Sequence, residues 1–323
     1  MQPDRDSTAA SNADGSSPAP SVEIVRSPTE GRNSGTYDID LLPTLDVLRE
    51  INAEDTTVPN AVAKVLPDLA RAVDLGVDTL REGGRVHYFG AGTSGRIATM
   101  DAAELPPTFG IEAARVLSHH AGGESALGQA VEGIEDSPDL GRTEASSVTS
   151  ADLAVCLAAS GRTPYVAGAL RRSREMGART VLISANPAAP LASEADVHVG
   201  MDTGAEVIAG STRMKAGTAQ KLALNAFSTA VMVRLGYTYS NLMVGMNATN
   251  AKLRGRMVTI LTEATGCPEE TCAEALTAAE GDTRVALVSL LSGVGGTRAS
   301  QELAASGGHV REALRRIGTT GTP

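Results

Sequence analysis

Residues Arg85–Gly110 read RVHYFGAGTSGRIATMDAAELPPTFG. Val86, Tyr88 and Phe89 form a short β-prone run. Gly90, Ala91 and Gly92 then let the backbone turn sharply, because a residue without Cβ tolerates unusual dihedrals. Thr93 and Ser94 follow where a helix N-terminus begins. Free backbone N–H groups there, together with the helix dipole, favour an anion such as phosphate. Further on, Glu104 precedes Pro106 and Pro107, which are expected to end the helix and stiffen its exit. A strand, a glycine turn and a helix in this order form the repeating unit of a parallel sheet.

The spacing of Gly90, Gly92 and Gly95 matches G-x-G-x-x-G, the dinucleotide fingerprint. Two details count against NAD. The fingerprint expects an acidic residue about 20 positions on, at the end of the next strand; here the next strand-like run, ARVLSHH, ends in Ser118, His119 and His120. The variable positions also carry the hydroxyls of Thr93 and Ser94, which suit a phosphomonoester better than a closely approached pyrophosphate.

Outward from this stretch the alternation is regular. One long amphipathic helix is expected over 58–80, with Val62, Val65, Leu66, Leu69, Val73 and Leu80 on its apolar stripe. Strands are expected over 86–89, 114–117, 153–159, 180–184 and 197–200, with a helix from Ser125 and another after SGRTP. Strands alternating with helices imply a sheet covered on both faces. The fold class is therefore α/β: a doubly wound, five-stranded parallel sheet with a small C-terminal helical domain. Ligands in such sheets bind beyond the C-terminal strand ends, where strand order reverses. A second strand end, AASGRTP at 158–164, repeats the chemistry of the first, with Ser160, Gly161 and Thr163 at a helix start and Pro164 in its first turn. Two such loops in one sheet point to a phosphorylated small molecule. A third polar helix start, Ser211, Thr212 and Lys215, opens an apolar helix expected over 213–235. The domain reading is a disordered tail over 1–27, rich in Ser, Ala, Asp, Pro and Gly; an N-terminal arm and helix over 28–57; the sheet domain over 58–244; and three or four small helices over 245–323.

Composition narrows the function classes. Net charge is −10 and aromatic content 2%, with no Trp, so neither nucleic acid nor an anionic membrane is an expected partner. Cys156, Cys267 and Cys272 make neither a disulfide framework nor a zinc pattern, which fits a reducing cytoplasm. No apolar run reaches the roughly 18 residues of a membrane span, and the N-terminus shows no apolar signal core. The adjacent His119 and His120 point to opposite faces of a strand and do not make a metal site; they are expected at the pocket rim or surface, with His87 and His198 structural. No metal site is expected.

Two acids lie near the loops, Glu104 and Glu135, the latter in AVEGIEDS near the end of a helical segment. A carboxylate pair beside a sugar is what proton-transfer chemistry requires, one removing a proton and one protonating a departing oxygen. Each is equally readable as a solvated helix-end charge.

Taken together, FGAGTSGRIATMDAAELPPTFG, AGGESALGQAVEGIEDS, AASGRTPYV and GSTRMKAGTAQKLALN, in this order and spacing, resemble the N-acetylmuramic acid 6-phosphate etherases, members of the sugar isomerase (SIS) fold. TEGRN at 29–33 and NLMVGMNATNAKL from Asn241 fit the same resemblance, which covers all but the tail. It implies a lyase that cleaves the lactyl ether of that sugar to N-acetylglucosamine 6-phosphate and D-lactate, in cell-wall amino-sugar recycling, without a cofactor. It places the proton donor at Glu104 and the second catalytic acid at Glu135. The phosphate loop falls on Ser160, Gly161 and Thr163, with Thr93 and Ser94 opposite and Ser211 and Thr212 as further contacts. It also implies a homodimer with shared active sites. Two other readings share the fold: a non-catalytic phosphosugar sensor, akin to glucokinase regulatory protein, and an aldose–ketose isomerase. The AAELPP glutamate and the lack of a fused aminotransferase domain count against the isomerase.

Overall fold

The computed structural model describes residues 27–129, 131–246 and 251–318. The tail expected over 1–27 falls outside them except for Ser27, as do residues 247–250 of the segment from Asn241. Three helices open the chain, α1 (Thr44–Asp55), α2 (Val58–Ala63) and α3 (Leu66–Arg81), followed by β1 (Val86–Gly90) and α4 (Gly92–Phe109). Then come β2 (Val116–His120), α5 (Ser125–Gly128), α6 (Pro138–Glu144), β3 (Leu153–Leu157), α7 (Pro164–Glu175), β4 (Arg179–Ser184) and β5 (Val197–Gly200). A long helix, α8 (Lys215–Arg234), and a two-residue hairpin, β6 (Thr238–Tyr239) with β7 (Leu242–Met243), lead to the C-terminal helices. These are α9 (Ala251–Thr265), α10 (Glu269–Ala278), α11 (Thr283–Ser292), α12 (Gly296–Ala305) and α13 (Val310–Ile317).

The five strands are all parallel and lie in the order β2-β1-β3-β4-β5. Chain order reverses between β1 and β3, whose last residues, Gly90 and Leu157, pair across the ladder. That is the switch point at which such sheets bind ligands. Alternate strand residues feed two layers. Val86, Tyr88, Val155, Val181, Ile183 and Val199 face α3, α4 and α8. Phe89, Ala154, Cys156 and Leu182 face α7 on the other side. A separate apolar cluster, from Val244 through Met257, Leu287 and Leu314, holds the C-terminal helices together.

Several expectations need correction. The helix expected over 58–80 is two helices, because Pro67 withdraws an amide and restricts the residue before it while suiting the first turn of α3. The second strand starts at Val116, after a 3-10 turn at Ala113–Arg115, and so carries both His119 and His120. Pro106 and Pro107 do not end α4: the helix continues to Phe109, its last turn held down by buried Leu105 and Phe109, and stops at Gly110 with φ +71°. The helix from Ser125 lasts one turn, and Glu135 lies in a 3-10 turn, Ile134–Asp136, entered through Gly133 at φ +75°. The unexpected helix α6 follows, capped by Ser137, whose Oγ accepts from the Leu140 amide. Finally, the apolar helix expected over 213–235 begins at Lys215 and ends at Arg234, and its apolar face packs inward. Ala219, Ala223, Leu224, Phe227, Val231 and Met232 are buried within the chain's own core.

Candidate active site

A cavity of about 520 Å³ opens at the switch point. Its walls are the β1–α4 turn (Ala91, Gly92, Thr93, Ser94), the β3–α7 loop (Ala159, Ser160, Arg162, Thr163, Pro164), Glu135 and Asp136, and Arg96, Thr212 and Glu30. Both helix starts expected to hold phosphate therefore face one space.

Helix α4 begins without a side-chain cap. Its first intrahelical tie from outside is Gly95 N–H to Ala91 O at 3.3 Å, so the amides of Gly92, Thr93 and Ser94 have no acceptor among the described residues. The turn is tight enough that a Cβ on Gly95 would sit 2.5 Å from both Gly90 O and His120 Cδ2. Ser94 is buried and donates its hydroxyl proton to Gln220 Oε1 at 2.8 Å. What it offers the cavity is therefore chiefly its main-chain N–H, while half-buried Thr93 keeps its hydroxyl free. Opposite, Gly161 adopts φ +69°, and a Cβ there would meet Ala189 Cβ at 2.2 Å. The loop is held by Gly161 N–H to Ala158 O, Leu191 N–H to Gly161 O, and Asn186 Nδ2 to Ser160 O, at 3.0–3.1 Å. The Tyr165 and Val166 amides at the start of α7 are likewise unclaimed among the described residues.

The third helix start behaves differently. The buried Glu206 carboxylate accepts from the Lys215 and Ala216 amides, both at 2.9 Å, so α8 opens with its own anion in place. Burial pushes the Glu206 carboxyl up, and the two amides partly offset this. Lys215 is itself buried and pairs with Glu54 at 2.5 Å. Thr212 lines the cavity; Ser211 does not.

The two acids separate. Glu135 lines the cavity, exposed to solvent in the single chain. Glu104 is outside it and exposed on α4, ten residues beyond Ser94 and so roughly 15 Å farther along the helix axis. Met100, one turn before Glu104, is 46% exposed.

Four cavity residues escaped the sequence reading. Glu30 and Asp136 add carboxylates, and Arg162 lines the β3–α7 side. Arg96 donates to the carbonyls of Leu127, Ala126 and Gln129 at 2.8–3.2 Å, tying the segment that leads to Glu135 back onto α4. The signals existed: Arg96 ends the GTSGR run, and TEGRN was conspicuously polar. Thr29 O accepts from Gly210 N–H at 3.0 Å, which brings Glu30 beside the 210–212 loop.

The histidines are not rim residues. His120 is 6% exposed, with Nδ1 2.9 Å from Ala121 O and Nε2 3.2 Å from Gly92 O, so its ring braces the phosphate turn against β2. His119 stacks on Phe89 and His87, at centroid distances of 4.4 and 5.3 Å. Burial and its cationic neighbours hold it down to about 4. Among the described residues, no group of three or more His, Cys, Asp or Glu side chains converges to hold a metal ion, and no helix is long and apolar enough to cross a membrane.

Comparison with known proteins gives matches to two family models: the N-terminal SIS domain of glucokinase regulatory protein, over residues 68–174, and the SIS domain, over 127–230. The N-acetylmuramic acid 6-phosphate etherase of Thermobifida fusca (strain YX) is 76% identical over 271 residues, 84% of this chain and 89% of that protein. The etherase of Pectobacterium atrosepticum is 49% identical over 288 residues, 88% of this chain and 95% of that one. Among solved structures, phosphoheptose isomerase GmhA from Neisseria gonorrhoeae aligns with a TM-score of 0.46 at 16% identity, covering 58% of this chain and 99% of that one.

Proposed function

The chain belongs to the N-acetylmuramic acid 6-phosphate etherase family, and we propose that it cleaves the D-lactyl ether of N-acetylmuramic acid 6-phosphate with water, releasing D-lactate and N-acetylglucosamine 6-phosphate. It is a carbon–oxygen lyase of amino-sugar recycling. The observation that supports this reading best is the convergence of two anion-competent helix starts and Glu135 on one cavity. In this reading the 6-phosphate lies between the Thr93–Ser94 turn and the Ser160–Gly161–Thr163 loop, and Thr212 closes the side. Ser211 stays a neighbour that positions Thr212.

An ether is a poor substrate for direct displacement. Opening the sugar ring creates a C1 aldehyde that acidifies the C2 proton. Glu135 removes that proton, Glu104 protonates the C3 ether oxygen as lactate leaves, and water adds back at C3 of the unsaturated aldehyde. Because Glu104 lies outside the cavity that Glu135 lines, the acid in this reading is supplied by a second copy. Two features favour a homodimer with shared sites. Met100 and Glu104 lie on one exposed face of α4, one turn apart. Helix α1 has no buried residue, and Leu41, Leu45 and Leu48 beside and on it are 57–76% exposed. A cytoplasmic location belongs to the same reading, supported by three cysteines that are all free.

The test is D-lactate release from N-acetylmuramic acid 6-phosphate. Glu135→Gln is expected to stop C2 proton exchange as well as lactate release; exchange at the full rate places the base elsewhere. Mixing inactive Glu104→Gln and Glu135→Gln subunits is expected to restore about a quarter of wild-type activity, since half the dimers then carry one intact site of two. A folded protein that binds the sugar and releases no lactate leaves the sensor reading.

A further inference from the structure

A second cavity, of about 650 Å³, lies at the other end of the molecule. It sits where α3 and α4 hand over to the beginnings of β1 and β2, against the C-terminal helices. Its lining comprises the end of α3 (Leu80, Arg81), the exit of α4 (Gly110, Ile111, Glu112), Arg115, the exit of α8 (Leu235, Tyr237, Gly245), and Arg284, Ser306, Gly307 and His309. It shares no residue with the active-site cavity.

In a protein of net charge −10, three guanidiniums from three separate elements converge here. None of Arg81, Arg115 and Arg284 forms an ion pair among the described residues. The sole carboxylate in the lining is the exposed Glu112. Two further polar atoms lack partners. Arg115 donates from Nη2 to Leu80 O at 2.5 Å, yet its Nε is buried with no acceptor. Ser306 is 9% exposed, and its Oγ is buried with no partner at all. Arg284 lies over the Tyr237 ring, 5.4 Å from its centroid, which fixes the plane of its donors. His309 is held below its ordinary value, first by burial and then by Arg81 and Arg234, with Glu312 opposing. Capping the α3 C-terminus accounts for one donor of Arg115; it leaves Arg81, Arg284 and Ser306 unexplained.

We propose that this seam is a second anion site, accepting a phosphate monoester of a small metabolite or free phosphate. Guanidinium forks from several directions match phosphate oxygens. The volume exceeds what a bare ion needs and falls within the range of small-ligand pockets, with Leu80, Ile111, Leu235 and Tyr237 as the apolar wall for the rest of the molecule. A bound anion bridges the C-terminal helices to the exits of α3 and α4, the latter being the helix that carries both Thr93 and Glu104.

The test uses the full chain with Ser160→Ala and Thr163→Ala, which weaken the active-site phosphate loop, titrated calorimetrically with inorganic phosphate and separately with N-acetylglucosamine 6-phosphate. One anion per chain is expected to bind, and adding Arg284→Gln or Arg115→Gln should weaken it at least tenfold. The exposed Arg81→Gln, which does not threaten folding, should weaken it about threefold. Tenfold preference for the phosphosugar identifies a phosphorylated metabolite as the ligand; equal affinity identifies free phosphate. No saturable binding to the loop variant, or binding that the arginine substitutions leave within twofold, overturns the proposal.

Discussion

Gly95→Ala tests whether the first phosphate turn owes its shape to a backbone approach that no side chain can share. The added Cβ would lie 2.5 Å from Gly90 O and 2.5 Å from His120 Cδ2, with Gly90 C at 2.9 Å. Neither neighbour can yield freely. Gly90 O accepts from the Ala121 amide at 3.0 Å, and the His120 ring is held between Ala121 O and Gly92 O. The start of α4 must therefore retreat by about 0.5–1 Å to reach ordinary contact distance. Overpacking of this kind costs about 1–3 kcal/mol, equivalent to a melting temperature lower by roughly 2–12 °C in a domain of this size. The same retreat moves the Thr93 and Ser94 amides off the phosphate, and a displacement near 1 Å can cost about 10²-fold in rate. The assay is thermal unfolding alongside D-lactate release. Gly128→Ala is the control, because nothing lies within 4 Å of its Cβ position, and it should change neither. Wild-type melting and kcat/KM in Gly95→Ala would refute the close-approach argument.

Three further outcomes follow from buried polar groups. Glu206→Gln points an amide donor at one of the two α8 amides and removes the charge at the helix start, so equilibrium urea unfolding should show a loss of about 2–4 kcal/mol. Asp101→Ala strands the Tyr88 hydroxyl, the Asn225 amide and the Ser228 hydroxyl, which now donate to it at 2.6–3.1 Å; the same measurement should give about 2–5 kcal/mol. His119 sets an acid limit. Its pKa is about 4 folded against 6.5 as the ordinary value, so between those pH values the unfolded chain binds a proton that the folded chain refuses. Stability should fall by up to about 3 kcal/mol as pH drops from 6.5 to 4 and should not change above that window on this account. His119→Leu should flatten the curve.

The sheet was legible because its strands are continuous apolar runs bounded by glycine turns, as Leu153–Leu157 shows, and buried parallel strands need nothing subtler. The two polar loops that line the cavity were legible for the same reason: each follows such a run directly. What the chain order hid was decided by tertiary contacts. Pro106 and Pro107 read as a helix end, yet buried Leu105 and Phe109 carry α4 past them. Ser211 and Thr212 read as further contacts at a third polar helix start, but the claim of Glu206 on the α8 amides depends on a loop folding back nine residues, which no local pattern announces. Glu30 enters the cavity only because Thr29 O pairs with Gly210 N–H, 181 positions away in sequence.

In the proposed reading, the same helix accounts for a catalytic pair divided between two copies of the chain. Helix α4 must begin at the switch point so that its unclaimed amides meet the phosphate, and a helix that begins there carries its later residues away from the sugar at about 1.5 Å each. A carboxylate ten residues on cannot turn back, and no hinge within α4 is available: the helix is unbroken from Gly92 to Phe109, pinned midway by Asp101 to β1 and α8. In the proposed homodimer, the acid on this rod serves the cavity of another copy, with the exposed face of Met100 and Glu104 brought over the opening. In that reading, docking also gives the open cavity an apolar cover that keeps water from competing for the departing ether oxygen. If the proposed dimer forms, the direction in which α4 leaves the switch point is what carries Glu104 to the partner's opening.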